Sequence, residues 1–171
     1  MKELLDYDNG SANYLEQISP NSFPLLSWDF HMQNLLRVSN NLADVQTING
    51  IKKAFNWNFS ADFENEFDND TVVLVTNSKL EIIFSSQNII KMNGYKSEET
   101  IGNSPKMFQG KATCKIISAE IKEAITLKVP FEKWVLNYKK NGEIYNCHIK
   151  GFPIFDNKGI LCNFIAFEKA A

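Results

Sequence analysis

Residues 131–168 read FEKWVLNYKKNGEIYNCHIKGFPIFDNKGILCNFIAFE, and this stretch decides the fold. It divides into three runs rich in aromatic and β-branched residues, 131–139, 144–155 and 160–168, a composition that suits a pleated, half-buried surface. Asn141-Gly142 separates the first two runs, a dipeptide that accepts the positive φ of a tight hairpin. Asp156-Asn157-Lys158-Gly159 separates the second from the third. Strands joined by turns this short pair antiparallel, because parallel neighbours need a crossover of a dozen or so residues. Alternation then assigns faces. With Asn137 on the concave side, Val135 joins it, while Trp134, Leu136 and Tyr138 face outward. By the same parity Cys162, Phe164, Ala166 and Glu168 point inward, and Leu161, Ile165 and Phe167 point outward.

Upstream, residues 71–76 (TVVLVT) and 80–84 (LEIIF) form another pair of strands around the Asn77-Ser78-Lys79 turn. Short helical stretches follow at 87–93 and 97–100. A longer helix covers 115–127, with Ile117, Ile121, Ala124 and Ile125 on one stripe, and stops before Pro130. The order β-β-α-α-α-β-β-β predicts an α+β fold, a five-stranded antiparallel sheet with its helices grouped on one face. This domain is assigned to residues 70–171.

Residues 1–69 have a different character. The first 27, with Asn9-Gly10, Ser19-Pro20 and Phe23-Pro24, read as irregular. Helical spacing begins at Ser27 and carries Trp28, Met32, Leu35, Leu36 and Leu42. Ile48, Ile51 and Phe55 continue it after Thr47, read as an N-cap, and Phe59, Phe63 and Phe67 form a shorter stripe among acids. Each apolar side needs a surface to bury against. The outward Trp134, Leu136, Ile165 and Phe167 need cover for the same reason, so residues 28–67 are expected to cap the outer face of the sheet. That region, with Trp28, Leu35 and Leu36, is also the candidate interface for a homodimer or a partner protein. Residues 1–70 hold eleven acids and four bases, and residues 71–171 hold nine acids and fourteen bases, signs that favour docking modestly and only at low salt.

Composition excludes several function classes. The chain is 44% hydrophobic with thirteen Phe, enough for a packed core. A net charge of −2, with Arg37 the one arginine among 18 cations, argues against nucleic-acid binding. Three cysteines make no disulfide framework, so a reducing cytoplasm is expected. The opening MKELLDYDNG is too polar for a signal peptide, and no apolar run approaches the ~18 residues of a membrane span. His31 and His148 sit in no catalytic motif, and Gly94, Gly102 and Gly110 match no dinucleotide or phosphate loop. Cys147 and His148 point to opposite faces of one strand and cannot share an ion. The acids at 62, 64, 66, 68 and 70 lack a glycine-centred calcium loop. Neither catalysis nor a metal site is expected.

Three passages carry a resemblance. They are Met92-Asn93-Gly94-Tyr95 with Ser97-Glu98-Glu99 and Ile101-Gly102, then Gly102-Asn103-Ser104-Pro105-Lys106-Met107-Phe108-Gln109-Gly110, then Leu136-Asn137-Tyr138-Lys139-Lys140-Asn141-Gly142. In that order they resemble the TGYS-EE-hG, G-x-N-C-R-F-L-Q-G and L-N-Y-x-K-D-G motifs of a PAS domain, over about residues 70–168. Within PAS domains the chain is most similar to the flavin-binding light-oxygen-voltage (LOV) branch.

The resemblance implies a chemistry, and the departures change it. LOV photochemistry uses a thiol that adds to the excited flavin, and Pro105 stands at that position. The asparagine before it is matched by Ser104, and two phosphate-contacting arginines by Lys106 and Lys122, which are point charges without bidentate geometry. Gln109 is retained. Of two asparagines that face the flavin's pyrimidine edge, Asn137 is retained and the other is matched by Cys147; the last-strand glutamine near flavin N5 is matched by Glu168. Each lost polar partner costs roughly 1–3 kcal/mol, so two losses weaken flavin mononucleotide (FMN) by about two orders of magnitude. Adduct photocycling through the usual cysteine is excluded. No bound cofactor is expected, with FMN as the alternative. The long helix 115–127 also lacks the axial histidine of haem-binding PAS domains.

The expected ligand pocket lies between the sheet and the helices, lined by Ile89, Met92, Met107, Phe108, Ile121 and Phe164 with Gln109, Asn137, Cys147 and Glu168 as polar points. Ser104 and Pro105 complete it. The function implied is a stand-alone, non-catalytic sensory or interaction module of bacterial signal transduction, binding a small ligand or a partner protein, and homodimeric. The alternative is a LOV-like photoreceptor or flavin redox sensor without the adduct cysteine.

Overall fold

The structure, a computed structural model, describes residues 42–58 and 70–171. Five strands, β1 (Val72–Asn77), β2 (Ile82–Ser85), β3 (Phe131–Tyr138), β4 (Ile144–Phe155) and β5 (Leu161–Ala170), form one sheet in the order β2-β1-β5-β4-β3. Every neighbouring pair is antiparallel. Helix α1 spans 42–54. Helices α2 (Ile89–Asn93) and α3 (Ser97–Thr100), a 3-10 turn (Pro105–Phe108) and α4 (Lys115–Leu127) lie between β2 and β3.

The turns explain the strand ends. Asn77 Oδ1 accepts the backbone N–H groups of Lys79 (2.9 Å) and Glu81 (3.0 Å), and Leu80 takes a φ of +64°. That clasp delays β2 to Ile82, two residues later than alternation alone places it. Gly142 takes φ +89° in the β3–β4 hairpin, as the Asn-Gly pair requires. Pro153 lies beyond the last β3–β4 pair, Phe131–Gly151, where β4 tolerates a residue without an N–H donor.

Two hydrophobic layers sandwich the sheet. On the concave side Val72, Leu74 and Ile82 pack with Ile89 and Phe108. On the outer side Val73, Val75, Ile154, Ile165 and Phe167 pack with Ile48 of α1 and Trp57 just beyond it. Burying side chains of this size contributes roughly 1.5–3 kcal/mol each. Residues 42–58, the described part of the expected cap, therefore lie over β1 and β5. Polar contacts fix its position. The Trp57 indole N–H donates to Asn163 Oδ1 at 2.8 Å, and Asn163 Nδ2 donates to the Thr76 carbonyl at 3.0 Å. Asp44, 5% exposed, accepts the Gln87 backbone N–H at 3.0 Å, tying α1 to the start of α2.

Four expectations change. Thr47 caps nothing: it lies inside α1, and its hydroxyl donates to the Ala43 carbonyl at 2.9 Å. Phe55 is exposed because α1 ends at 54, and Trp57 fills the place in the outer layer that helical spacing gave to it. Cys162 faces outward, against the outer cluster, because the β4–β5 register shifts between Ile154 and Phe155. A bulge of this kind leaves one residue unpaired and ends simple alternation. Trp134 is 54% exposed and stacks on His148 (ring centroids 4.6 Å apart), so the described part of the cap does not reach the β3 end of the outer face. Leu136 beside it is half-buried, whereas Ile165 and Phe167 are buried beneath the cap. Trp28, Leu35, Leu36 and the Phe59, Phe63, Phe67 stripe lie outside the described residues.

Candidate functional site

Concave-face positions of β1, β3, β4 and β5 enclose a cavity of about 100 Å3 with α4 and the 3-10 turn. Pro105, Phe108 and Gln109 reach it from the turn, Ile121 and Ile125 from α4, and Asn137, Phe164 and Glu168 from the sheet. Register brings the polar groups together. Val135 pairs Cys147, Asn137 pairs Tyr145 and Ile149 pairs Glu168, so Asn137, Tyr145, Cys147 and Glu168 share one face. All four are buried.

This polar floor is poorly satisfied. The Cys147 thiol donates to Glu168 Oε2 at 3.6 Å, the one hydrogen bond to that carboxylate among the described residues. Thr76 Oγ1 is buried without a hydrogen-bond partner among the described residues, while the Tyr145 hydroxyl lies within reach of the Asn93 and Asn137 amides. Burial pushes the Glu168 carboxyl up to about 7, against a small opposing pull from the Cys147 hydrogen bond. Burial likewise pushes the Cys147 thiol up, with the Glu168 charge adding to it, and raises the Tyr145 phenol. A thiol held protonated is a poor nucleophile.

The sequence-based site residues divide into groups. Pro105, Phe108, Gln109, Ile121, Asn137, Phe164 and Glu168 line the cavity, and Cys147 sits against Glu168. Ile89, Met92 and Met107 belong to the packed inner layer beside it. Ser104 is not brought to the cavity: it is exposed, and its hydroxyl accepts the Lys106 N–H at 3.5 Å at the start of the 3-10 turn. Lys106 and Lys122 are exposed and line no part of the cavity. Tyr145, Thr76, Phe131 and Ile149 were missed. Alternation from Asn137 and Cys147 would have found Tyr145 and Ile149, and alternation along β1 would have found Thr76. Phe131 is placed by Gly151, whose missing side chain leaves room for the ring.

Size limits what the cavity can hold. An engineered cavity of ~150 Å3 accommodates benzene, and pockets for drug-sized ligands begin near ~300 Å3. A three-ring isoalloxazine exceeds 100 Å3.

A five-stranded antiparallel sheet, helices on its concave side and a small cavity between them define an α+β module with an internal site. A model of the PAS domain family matches residues 69–169, and the chain belongs to that family. It is 36% identical over 88 residues to Protein TWIN LOV 1 of Arabidopsis thaliana, covering 51% of this chain and 22% of that protein. It is 30% identical over 99 residues to the blue-light-activated histidine kinase of Brucella ovis, covering 56% of this chain and 20% of the kinase. The chain thus spans about a fifth of these relatives. Among solved structures it is similar to the light state of the Aureochrome1 LOV photoreceptor (TM-score 0.58, 21% identity, 66% of this chain and 89% of that one). It is also similar to a LOV domain from an Erythrobacter litoralis blue-light-activated histidine kinase (TM-score 0.55, 19% identity, 58% and 94%). Among the described residues no three His, Cys, Asp or Glu side chains converge as a metal site, and no helix is long and apolar enough to cross a membrane.

Proposed function

We propose that this chain is a PAS sensory module of signal transduction that reads occupancy of its concave cavity and, without catalysis of its own, passes the change to a separate partner. One observation carries the reading. Strand β5 is the wall between cavity and cap: Phe164 and Glu168 line the cavity, while Ile165 and Phe167 pack with Ile48 and Trp57. A ligand that displaces the inner residues acts on the same strand that holds the cap. The half-exposed Trp134–His148 stack, outside the cap, is the surface assigned to a second copy of the chain.

FMN is the alternative ligand that the LOV relatives raise, and the residues here do not fit it. Pro105 offers no thiol, Lys106 and Lys122 lie outside the cavity, Glu168 places an acid on its floor, and the volume is too small. Purified protein mixed with FMN and then desalted is expected to be colourless, with the apo mass in native mass spectrometry. A retained blue-region band with vibronic structure would replace this reading with the flavoprotein one.

A further inference from the structure

The cavity floor carries an acid that the fold does not neutralise. Glu168 is 3% exposed, and its one donor among the described residues is a thiol, a weak one. Buried carboxylates are normally paired with a cation or several strong donors, because an isolated charge in an apolar interior is costly. Lysines 106 and 122 are exposed and do not line the cavity. The polar side chains beside the carboxylate carry no charge. Asn137 is 3% exposed there, and its register partner Tyr145, also buried, is engaged with the Asn137 and Asn93 amides. Away from this corner the wall is mostly aliphatic and aromatic, with Leu74, Ile121, Ile125 and Phe164, and Thr76 and Gln109 are its neutral polar members.

We propose that the cavity is a binding site for a small alkylammonium ion, its ammonium group held by the Glu168 carboxylate with the Asn137 amide oxygen, and its alkyl chain laid against the aliphatic wall. This rests on the ligand-sensing reading above and names the class of ligand. A protonated amine supplies three donors together with the positive charge that no described residue places at the carboxylate. With benzene filling ~150 Å3, a volume of about 100 Å3 suits a chain of roughly three or four carbons. An anion would meet the carboxylate, and a neutral alcohol would supply one donor and no charge.

Binding of the cation requires ionised Glu168, so affinity rises with pH as that carboxyl titrates. The titratable groups facing it are Cys147 and Tyr145 of β4, both held neutral by burial. The other elements face it with uncharged side chains: Val72 and Leu74 from β1, Val135 and Asn137 from β3, and Ile121 and Ile125 from α4.

Calorimetric titration of the full chain with n-propylammonium chloride and with 1-propanol, at pH values above and below neutrality, tests the assignment. Saturable propylammonium binding is expected, at least about tenfold tighter than propanol at high pH and weakening as the pH falls. Glu168→Gln is expected to abolish the preference for the amine. Equal affinity for the two probes, an undiminished preference in E168Q, or xenon uptake by NMR without propylammonium binding would overturn the ammonium class and leave a ligand pocket standing. Failure of amine, alcohol and xenon alike would overturn the ligand pocket too. The comparison of amine with alcohol on the unmodified chain decides the matter even if E168Q does not fold.

Discussion

Replacing Glu168 with glutamine is expected to stabilise the protein, and by an amount that depends on pH. Burial holds the native carboxyl near 7, whereas an unfolded chain titrates near 4.5. Below about pH 4 both states carry the proton and Glu168 contributes no penalty. Between those values the native state keeps a proton that the unfolded state has released, so the unfolded state binds fewer protons and stability falls as the pH rises. Above about 7 both states are ionised and the full cost of a buried charge is present. At about 1.36 kcal/mol per pH unit, that cost comes to about 3 kcal/mol, a large share of the ~5–15 kcal/mol that holds a domain of this size together. Glutamine keeps the shape and removes the titration. Urea denaturation of both proteins at matched pH values isolates the effect, because every other carboxylate cancels in the difference. The two should agree near pH 4, and E168Q should be more stable by about 3 kcal/mol near pH 8. A difference that stays constant with pH, or a wild type that gains on the variant as the pH rises, would refute the assignment of an unpaired buried carboxyl.

Two further outcomes follow from packing. Gly151 lies beneath the Phe131 ring, where an added β-carbon would collide with it, so Gly151→Ala should cost roughly 1–3 kcal/mol by forcing the ring aside. An unchanged urea midpoint would show that the ring does not sit there. Trp134, 54% exposed, should tolerate Trp134→Ser with a stability change of less than about 1 kcal/mol, while native mass spectrometry shows dimer giving way to monomer. Identical oligomer distributions for variant and wild type would remove this surface from the dimer reading.

Much of the sheet was legible because its signals are local. The Asn141-Gly142 hairpin and the Asp156–Gly159 turn sit between β-rich runs, and the β4 boundaries match alternation residue for residue. Once Asn137 is set on the concave side, as the resemblance implies, alternation gives inward Phe164 and Glu168 and outward Ile165 and Phe167, as found. Parity failed at Cys162 because a bulge belongs to a pair of strands and leaves little mark on one. The cap was legible as an apolar need and only partly as a partner. Ile48 and Ile51 lie where helical spacing puts them, whereas Asp44 and Trp57 act through Gln87 and Asn163, groups 43 and 106 residues away.

Local chemistry in the chain determined the five strands, their turns and the three α-helices between β2 and β3, since each depends on φ preferences and side-chain period within a few residues. Resemblance to the LOV motifs is what sets the expectation that Pro105, Cys147 and Glu168 replace a cysteine, an asparagine and a glutamine. Tertiary structure alone decided that Glu168 is buried against a thiol with no cation beside it among the described residues, that the space before it is small, and that Lys106 and Lys122 stay outside. Burial and charge pairing are sums over neighbours brought together from β1, β3, β4, β5 and α4, and such sums exist only once the chain has closed around them.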